Sequence, residues 1–303
     1  MTIPFSFLKV ALVGCGGRGT GAASQILQAH PSVRLWAMAD LFSDRLEMSL
    51  NLLQKGVDAR YDREAHQAQA AVIDVPPERR FVGFNAYRKA IDSGVDVVIL
   101  ATTPHFRPVQ FAYAVSRNVH AFIEKPMAID APGVRTLLEV SAAAEEKNIK
   151  VAAGFQRYHN PVYREAIDRL KNGAVGELSH LRTYFNHGAT WHIERKPEWT
   201  EMQFQMRNWL YFTWLSGDHI VEQHVHNLDV INWAFDTHPV QATGMGGRAA
   251  RTDPQYGNIF DHFAVDYEYP NGVRVMSMCR QTAGAAENVS ERVVGTKGTT
   301  YTD

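Results

Sequence analysis

Two folds in series are predicted for this chain: a doubly wound α/β domain with a parallel sheet, then an α+β domain whose sheet is mostly antiparallel. Three observations carry the prediction. Six short apolar runs alternate with helix-like stretches up to about residue 154, the pattern that parallel strands and their crossover helices require. The first run ends in Gly14-x-Gly16-x-x-Gly19, a glycine-rich strand-to-helix turn. Beyond Gly154 the segments lengthen and alternate in polarity, and two of them are joined by Pro270-Asn271-Gly272, a hairpin signal.

The elements follow in order. Leu8 to Val13 (LKVALV) is a strand, and the residues after its glycines run into a helix. Val33 to Ala39 is the second strand and ends at Asp40. Ser43 to Lys55 reads as a helix, residues 57–79 as a polar loop or extra helix, and Arg80 to Phe84 as a short strand. Val95 to Ala101 (VDVVILA) is β-branched on both faces, as a central strand covered on each side should be. A helix over Pro108 to Arg117, a strand at His120 to Ile123, a helix over Ala131 to Lys147 and a strand at Ile149 to Ala153 complete the first sheet. In the second half, alternation marks Glu177 to Phe185, Asp261 to Tyr269 and Val273 to Gln281 as strands. The change of texture places the first domain at 1–127, its final strand and crossover continuing to about 155, and the second at 128–303.

Composition narrows the function. A length of 303 residues suits two domains, and 45% hydrophobic against 21% charged residues supplies a proper core. The 31 basic and 32 acidic side chains leave a net charge of −1 with no basic block, so nucleic acid is not an expected partner. No run approaches the roughly 18 apolar residues of a membrane span, and no basic leader precedes Leu8. A cytoplasmic protein is expected from the chain as written, with an export signal on a longer precursor left open. Cys15 and Cys279 make neither a disulfide framework nor a CxxC metal pattern.

The chemistry must therefore come from other residues. In Gly14, Gly16 and Gly19 the glycines serve a tight turn, close approach of backbone to a pyrophosphate, and packing of helix on strand. Asp40 stands twenty-one residues beyond Gly19, where an acid accepts hydrogen bonds from the adenosine ribose and repels a 2′-phosphate. NAD is the expected cofactor, with Arg45 keeping NADP as the minority choice; a turn-capping Asp is the bland alternative.

Glu124-Lys125-Pro126 closes the fifth strand, at the edge where ligands of such sheets bind. Lys125 is placed to hydrogen-bond a substrate hydroxyl and stabilise charge on its oxygen; a surface lysine paired with Glu124 is the alternative. Further on, Glu222, His224, His226 and Asp229 cluster at a helix start, with His226 and Asp229 three apart and so on one face. An imidazole there can take the proton of an alcohol while Glu222 or Asp229 orients it. The His-x-His pair also has ligand types suited to zinc, but a dinucleotide site already supplies redox chemistry and no metal is expected. Between 184 and 214 lie Trp191, Trp199, Trp209 and Trp214, four of the six tryptophans, interleaved with His187, His192, Arg195 and Arg207. Aromatic faces beside polar groups suit sugars and polyols, and equally suit an ordinary core.

Together GCGGRG, Asp40, ATTPHF (101–106), EKP (124–126), AGFQRYHNP (153–161) and EQHVHNLDVINW (222–233) resemble the glucose-fructose oxidoreductase / inositol dehydrogenase (Gfo/Idh/MocA) family over essentially the whole chain. The resemblance implies a Rossmann domain, then an open antiparallel sheet that holds substrate and often serves as an oligomer interface, so a homo-oligomer through the C-terminal sheet is expected. It implies cofactor contacts from Gly14, Cys15, Gly16, Gly17, Arg18, Gly19, Asp40, Thr102, Thr103, Pro104, His105, Glu124 and Lys125. Lys125 falls on the family's EKP lysine, His226 on its proton-shuttling histidine and Asp229 on the acid three residues later. The family's D-x-G-x-H falls on Glu222, His224 and His226, so Glu replaces Asp and an extra imidazole replaces Gly. Arg157, His159, Arg207, Trp191 and Trp209 are candidate substrate contacts.

The activity so implied is hydride transfer between NAD(P) and a secondary hydroxyl of a sugar, inositol or glycoside. Two alternatives stay open: an NAD-dependent glycosidase working by transient oxidation and elimination, and a non-catalytic sensor of dinucleotide or sugar. In the family the segment resembling Glu291 to Thr300 is followed by more strands and a helix, so a C-terminally truncated substrate domain with an uncovered sheet edge is expected.

Overall fold

Alternate residues of the first strands point into different cores, and that division builds the first half of the molecule. The computed structural model describes residues 7–56 and 72–302, which form two units, residues 1–154 and 155–303.

In the first unit the order is β1 (Leu8–Val13), α1 (Gly17–Ala29), β2 (Val33–Asp40), α2 (Ser43–Lys55), β3 (Arg80–Val82), α3 (Ala86–Asp92), β4 (Val97–Leu100), α4 (Arg107–Ser116), β5 (His120–Ile123), α5 (Ala131–Glu146) and β6 (Val151–Ala153). The six strands are parallel in the order β3-β2-β1-β4-β5-β6. Val10, Leu12, Leu35 and Ile99 face a core closed by α1 and α2 through Ala23, Leu27, Leu46 and Leu50. Ala11, Val13, Val98 and Leu100 face the opposite core, closed by Tyr87 and Ile91 of α3 and Phe111 of α4. A period of two with apolar residues on both faces is what a parallel sheet between helix layers needs. Strand order reverses between β1 and β4, the point where sheets of this kind bind ligands. The loop or helix expected over 57–79 lies outside the described residues as far as 71; beyond it Ile73 bridges Leu35 and Pro77–Arg79 makes a single 3-10 turn.

In the second unit the order is α6 (Pro161–Lys171), β7 (Leu178–His187), α7 (Glu201–Arg207), α8 (Thr213–Ser216), α9 (Asp218–Glu222), α10 (Val225–Phe235), β8 (Gln241–Gly247), β9 (His262–Glu268), β10 (Arg274–Gln281), β11 (Asn288–Gly295) and β12 (Thr299–Thr302). The sheet runs β12-β11-β7-β10-β9-β8. It is antiparallel except where β7 and β10 pair in parallel. Leu181, Val275 and Val293 form one row across three strands and are covered by Ile167 and Leu170 of α6 and Val230 and Ile231 of α10. On β10 burial alternates, Met276 being exposed between the buried Val275 and Ser277, as expected of a sheet with one covered face.

Candidate functional site

The glycines of the first turn divide into two kinds. Gly14 has φ +96°, and a Cβ on it would lie 2.5 Å from the backbone of Ala101 and Thr102. On Gly19 a Cβ would lie 1.9 Å from the Gly14 carbonyl oxygen. These two glycines are demanded by the protein itself: β1, β4 and α1 cannot otherwise approach so closely. Gly16 is different. Its φ of −71° suits any residue and a Cβ there would meet nothing within 4 Å, so the open space in front of it is not explained by the protein's own packing. Gly16 is also the N-cap of α1, which has no side-chain cap and no acidic residue in its first turn. Bare helix-start N–H groups facing open space fit a pyrophosphate.

Asp40 ends β2 beside that turn. Its Oδ2 accepts the Cys15 N–H at 2.6 Å and its Oδ1 the Phe42 N–H at 2.9 Å. Burial raises its pKa, and those two backbone bonds and Arg45 partly oppose the rise. Each carboxylate oxygen keeps acceptor capacity for a ribose hydroxyl. Burial also pushes up the Cys15 thiol, whose Sγ lies 3.5 Å from the Ala39 oxygen, so it stays protonated and fills the turn.

Past β4 and β5 two short loops carry the remaining candidates of this unit. The Thr102 hydroxyl donates to Gln110 Oε1 at 2.7 Å, Pro104 opens a 3-10 turn, and His105 packs edge-on against Phe106. Glu124 is buried and its Oε1 lies 3.0 Å from Arg18 Nε of the glycine turn. Gly154 makes room for it: a Cβ there would lie 2.8 Å from Glu124 Oε2. Lys125 is half-buried and precedes a cis Pro126. Sequence reasoning missed Arg107, a buried guanidinium under both loops that donates to the Thr102, Glu124 and Pro126 carbonyls. Nothing in the local pattern ATTPHFRP announces such a role.

In the second unit Glu222 ends α9, and His226 and Asp229 lie in the first turns of α10. His226 is buried with its ring edge-on to Phe155 at 5.9 Å. Asp229 is half-buried, and burial lifts its pKa to about 6 against the opposing pull of Tyr158 and Arg157. The Tyr158 hydroxyl donates to Asp229 Oδ1 at 3.4 Å and its ring stacks on Trp233 at 4.3 Å.

The extra imidazole of His224 is fully buried against the sheet, its Nε2 lies 2.6 Å from Ser277 Oγ, and burial drives its pKa down to about 3. The guanidinium of Arg157, a candidate substrate contact, bonds the buried Glu291, which also accepts from Asn227 at 2.5 Å and from Tyr163 at 3.2 Å. Of the other substrate candidates, His159 sits exposed in a 3-10 turn, Trp191 and Trp209 have ring centroids 6.4 Å apart, and the Arg207 guanidinium lies 4.8 Å over Trp199. His219, not singled out from sequence, is fully buried with both ring nitrogens lacking a hydrogen bond and a pKa lowered to about 3. Among the described residues no group of three His, Cys, Asp or Glu side chains is arranged to hold a metal ion, and no helix is long and apolar enough to cross a membrane.

Residues 8–155 match the model of an oxidoreductase family with an NAD-binding Rossmann fold, and residues 163–301 match the GFO/IDH/MocA C-terminal domain. A 2,7-anhydro-N-acetylneuraminate hydratase of Escherichia coli is 27% identical over 69% of this chain and 52% of its own length. An inositol 2-dehydrogenase of Acidothermus cellulolyticus is 25% identical over 76% of this chain and 63% of its own. The chain thus spans between half and two thirds of the length of these two relatives. The crystal structure of myo-inositol 2-dehydrogenase from Lactobacillus plantarum shares the fold with a TM-score of 0.74 at 22% identity, covering 98% of this chain and 76% of that one. With both of its halves matched, the chain belongs to the GFO/IDH/MocA family of oxidoreductases.

Proposed function

We propose that this protein transfers hydride between NAD and a secondary hydroxyl of an inositol or related polyol. The observation that carries the reading is Gly16: space kept open at an uncapped helix start, beside an acid at the tip of β2. When bound, NAD supplies the hydride acceptor. The first-turn N–H groups of α1 hold the pyrophosphate, and Asp40 accepts from the ribose hydroxyls and disfavours a 2′-phosphate. His226 takes the hydroxyl proton as the carbinol hydride departs, leaving a ketone, and Asp229 tunes that ring. Lys125 donates a hydrogen bond to the oxygen on which charge develops. Names of the relatives, inositol dehydrogenases among them, support a polyol substrate, and Trp191 and Trp209 offer it aromatic faces. A panel of inositols and sugars followed at the NADH absorbance band tests the reading; NADH formation with at least one supports it.

A second reading is favoured by the Escherichia coli relative, whose name is that of a hydratase. In it the hydroxyl carbon would lose its hydride to bound NAD and its hydroxyl proton to His226, the ketone so formed would acidify the neighbouring C–H, loss of that proton would expel the ether or glycosidic oxygen, and the hydride would return to the ketone carbon. Release of nitrophenol from nitrophenyl glycosides only when NAD is present separates it from net dehydrogenation.

A further inference from the structure

Arg107 is a cation at the first residue of α4, the end of a helix where the dipole opposes positive charge. It is also buried, 5% exposed, which costs desolvation. A residue that is disfavoured on both counts needs a compensating role, and its hydrogen bonds supply one. Nη1 donates to the Glu124 carbonyl at 3.0 Å and to the Pro126 carbonyl at 2.6 Å, and Nη2 donates to the Thr102 carbonyl at 2.6 Å. The first two acceptors bracket Lys125 in the chain. The third lies in the loop after β4, so one planar guanidinium ties the ends of β4 and β5 together. The Glu124 side chain is held separately by Arg18.

We propose that Arg107 is a positioning residue for Lys125: its guanidinium fixes the main chain on both sides of that lysine and so sets where the ammonium group presents itself to a substrate oxygen. This rests on the hydride-transfer reading for the role of Lys125. The fork geometry is essential, because a lysine keeps the charge but offers a single nitrogen that cannot span carbonyls of two loops.

The test is Arg107→Lys in the full chain, with Arg107→Ala as second variant. For Arg107→Lys, amide exchange by mass spectrometry is expected to quicken in 123–127 and 102–106. Turnover at saturating NAD should fall by about tenfold to a hundredfold, the effect of a small misplacement of a reacting group, a larger change than that in the Kd for NAD, which the loosened 102–106 loop also raises. Guanidinium ion at millimolar concentration is expected to restore turnover to Arg107→Ala, and ammonium ion is not. Turnover of Arg107→Lys within about twofold of the parent, or unchanged exchange in 123–127, overturns the proposal. Should the parent itself form no NADH, the hydride reading fails, and the exchange result alone decides whether Arg107 holds the Lys125 segment. If neither variant folds, the parent's own 15N spectrum decides: slowly rotating, separately resolved Arg107 Nη groups uphold the tie, and averaged ones overturn it.

Discussion

The two halves hold their candidate groups by different means. In the first unit the main chain takes part in most of the positioning: glycines bring β1, β4 and α1 together, Asp40 is fixed by two main-chain N–H groups, and Arg107 grips three main-chain carbonyls, while Arg18 on Glu124 and Gln110 on Thr102 are side-chain pairs. In the second unit side chains hold side chains: Tyr158 on Asp229, Ser277 on His224, and Arg157 and Asn227 on Glu291. Main-chain geometry suits a cofactor whose phosphates and ribose are the same for every substrate. Side-chain networks can be exchanged one residue at a time and can shift pKa values, which suits proton handling and selection among substrates.

Mutations should separate the two kinds of control. The largest effect is expected at Gly19→Ala, whose Cβ would meet the Gly14 oxygen at 1.9 Å; overpacking against backbone should cost about 3 kcal/mol and abolish NAD binding. Gly16→Ala, with nothing within 4 Å, should leave the melting temperature unchanged yet weaken NAD by roughly tenfold or more, since only the ligand meets the new methyl. Thermal melts with and without NAD read both, and equal behaviour of the two variants would remove the distinction between them.

In the second unit His226→Ala is expected to lower kcat by about a hundredfold to ten-thousandfold, the range for a lost general base, with the Kd for NAD unchanged. Asp229 titrates near 6, so kcat should show an inflection near that pH that Asp229→Asn removes. The sign for stability follows: a carboxyl raised in the folded state keeps its proton there, so its favourable contribution is complete below the unfolded value and is lost as pH rises through about 6. Asp229→Asn should therefore stabilise the protein more at pH 7 than at pH 4, by on the order of 1 kcal/mol after solvent screening.

The smallest catalytic effect is expected at His224→Ala. Its ring stays neutral across the working range, so losing it should cost about 2 kcal/mol of stability without moving the inflection near pH 6. An inflection that follows His224 instead of Asp229 would show that His224, and not Asp229, controls the proton transfer.

How much of this was legible in the sequence depended on the range of the interaction. Strand and helix periodicities, the glycine turn and the Asn271-Gly272 hairpin are local, and each appears where the pattern placed it. β8 was missed because Gln241–Gly247 (QATGMGG) is exposed almost throughout and carries no alternation. The parallel pairing of β7 with β10 joins segments about ninety residues apart, and no local signal encodes strand order. The same limit hid Arg107, whose partners are carbonyls, and it hid the partners of Arg157 and His224, since Glu291 and Ser277 arrive from distant strands. A polar residue in a motif is visible in sequence; the direction in which it points is decided by what the sheet brings to it.

The proposed hydride transfer pairs NAD at the glycine turn with proton acceptance by His226. It is tested most directly by incubating the full chain with NAD and a panel of inositols, and comparing NADH formation by the parent and by His226→Ala. Formation of NADH by the parent, lost by at least about a hundredfold in the variant while both bind NAD equally, is the predicted result. Equal rates in the two proteins, or a parent that binds NAD and neither forms NADH nor cleaves a glycoside, would contradict the account.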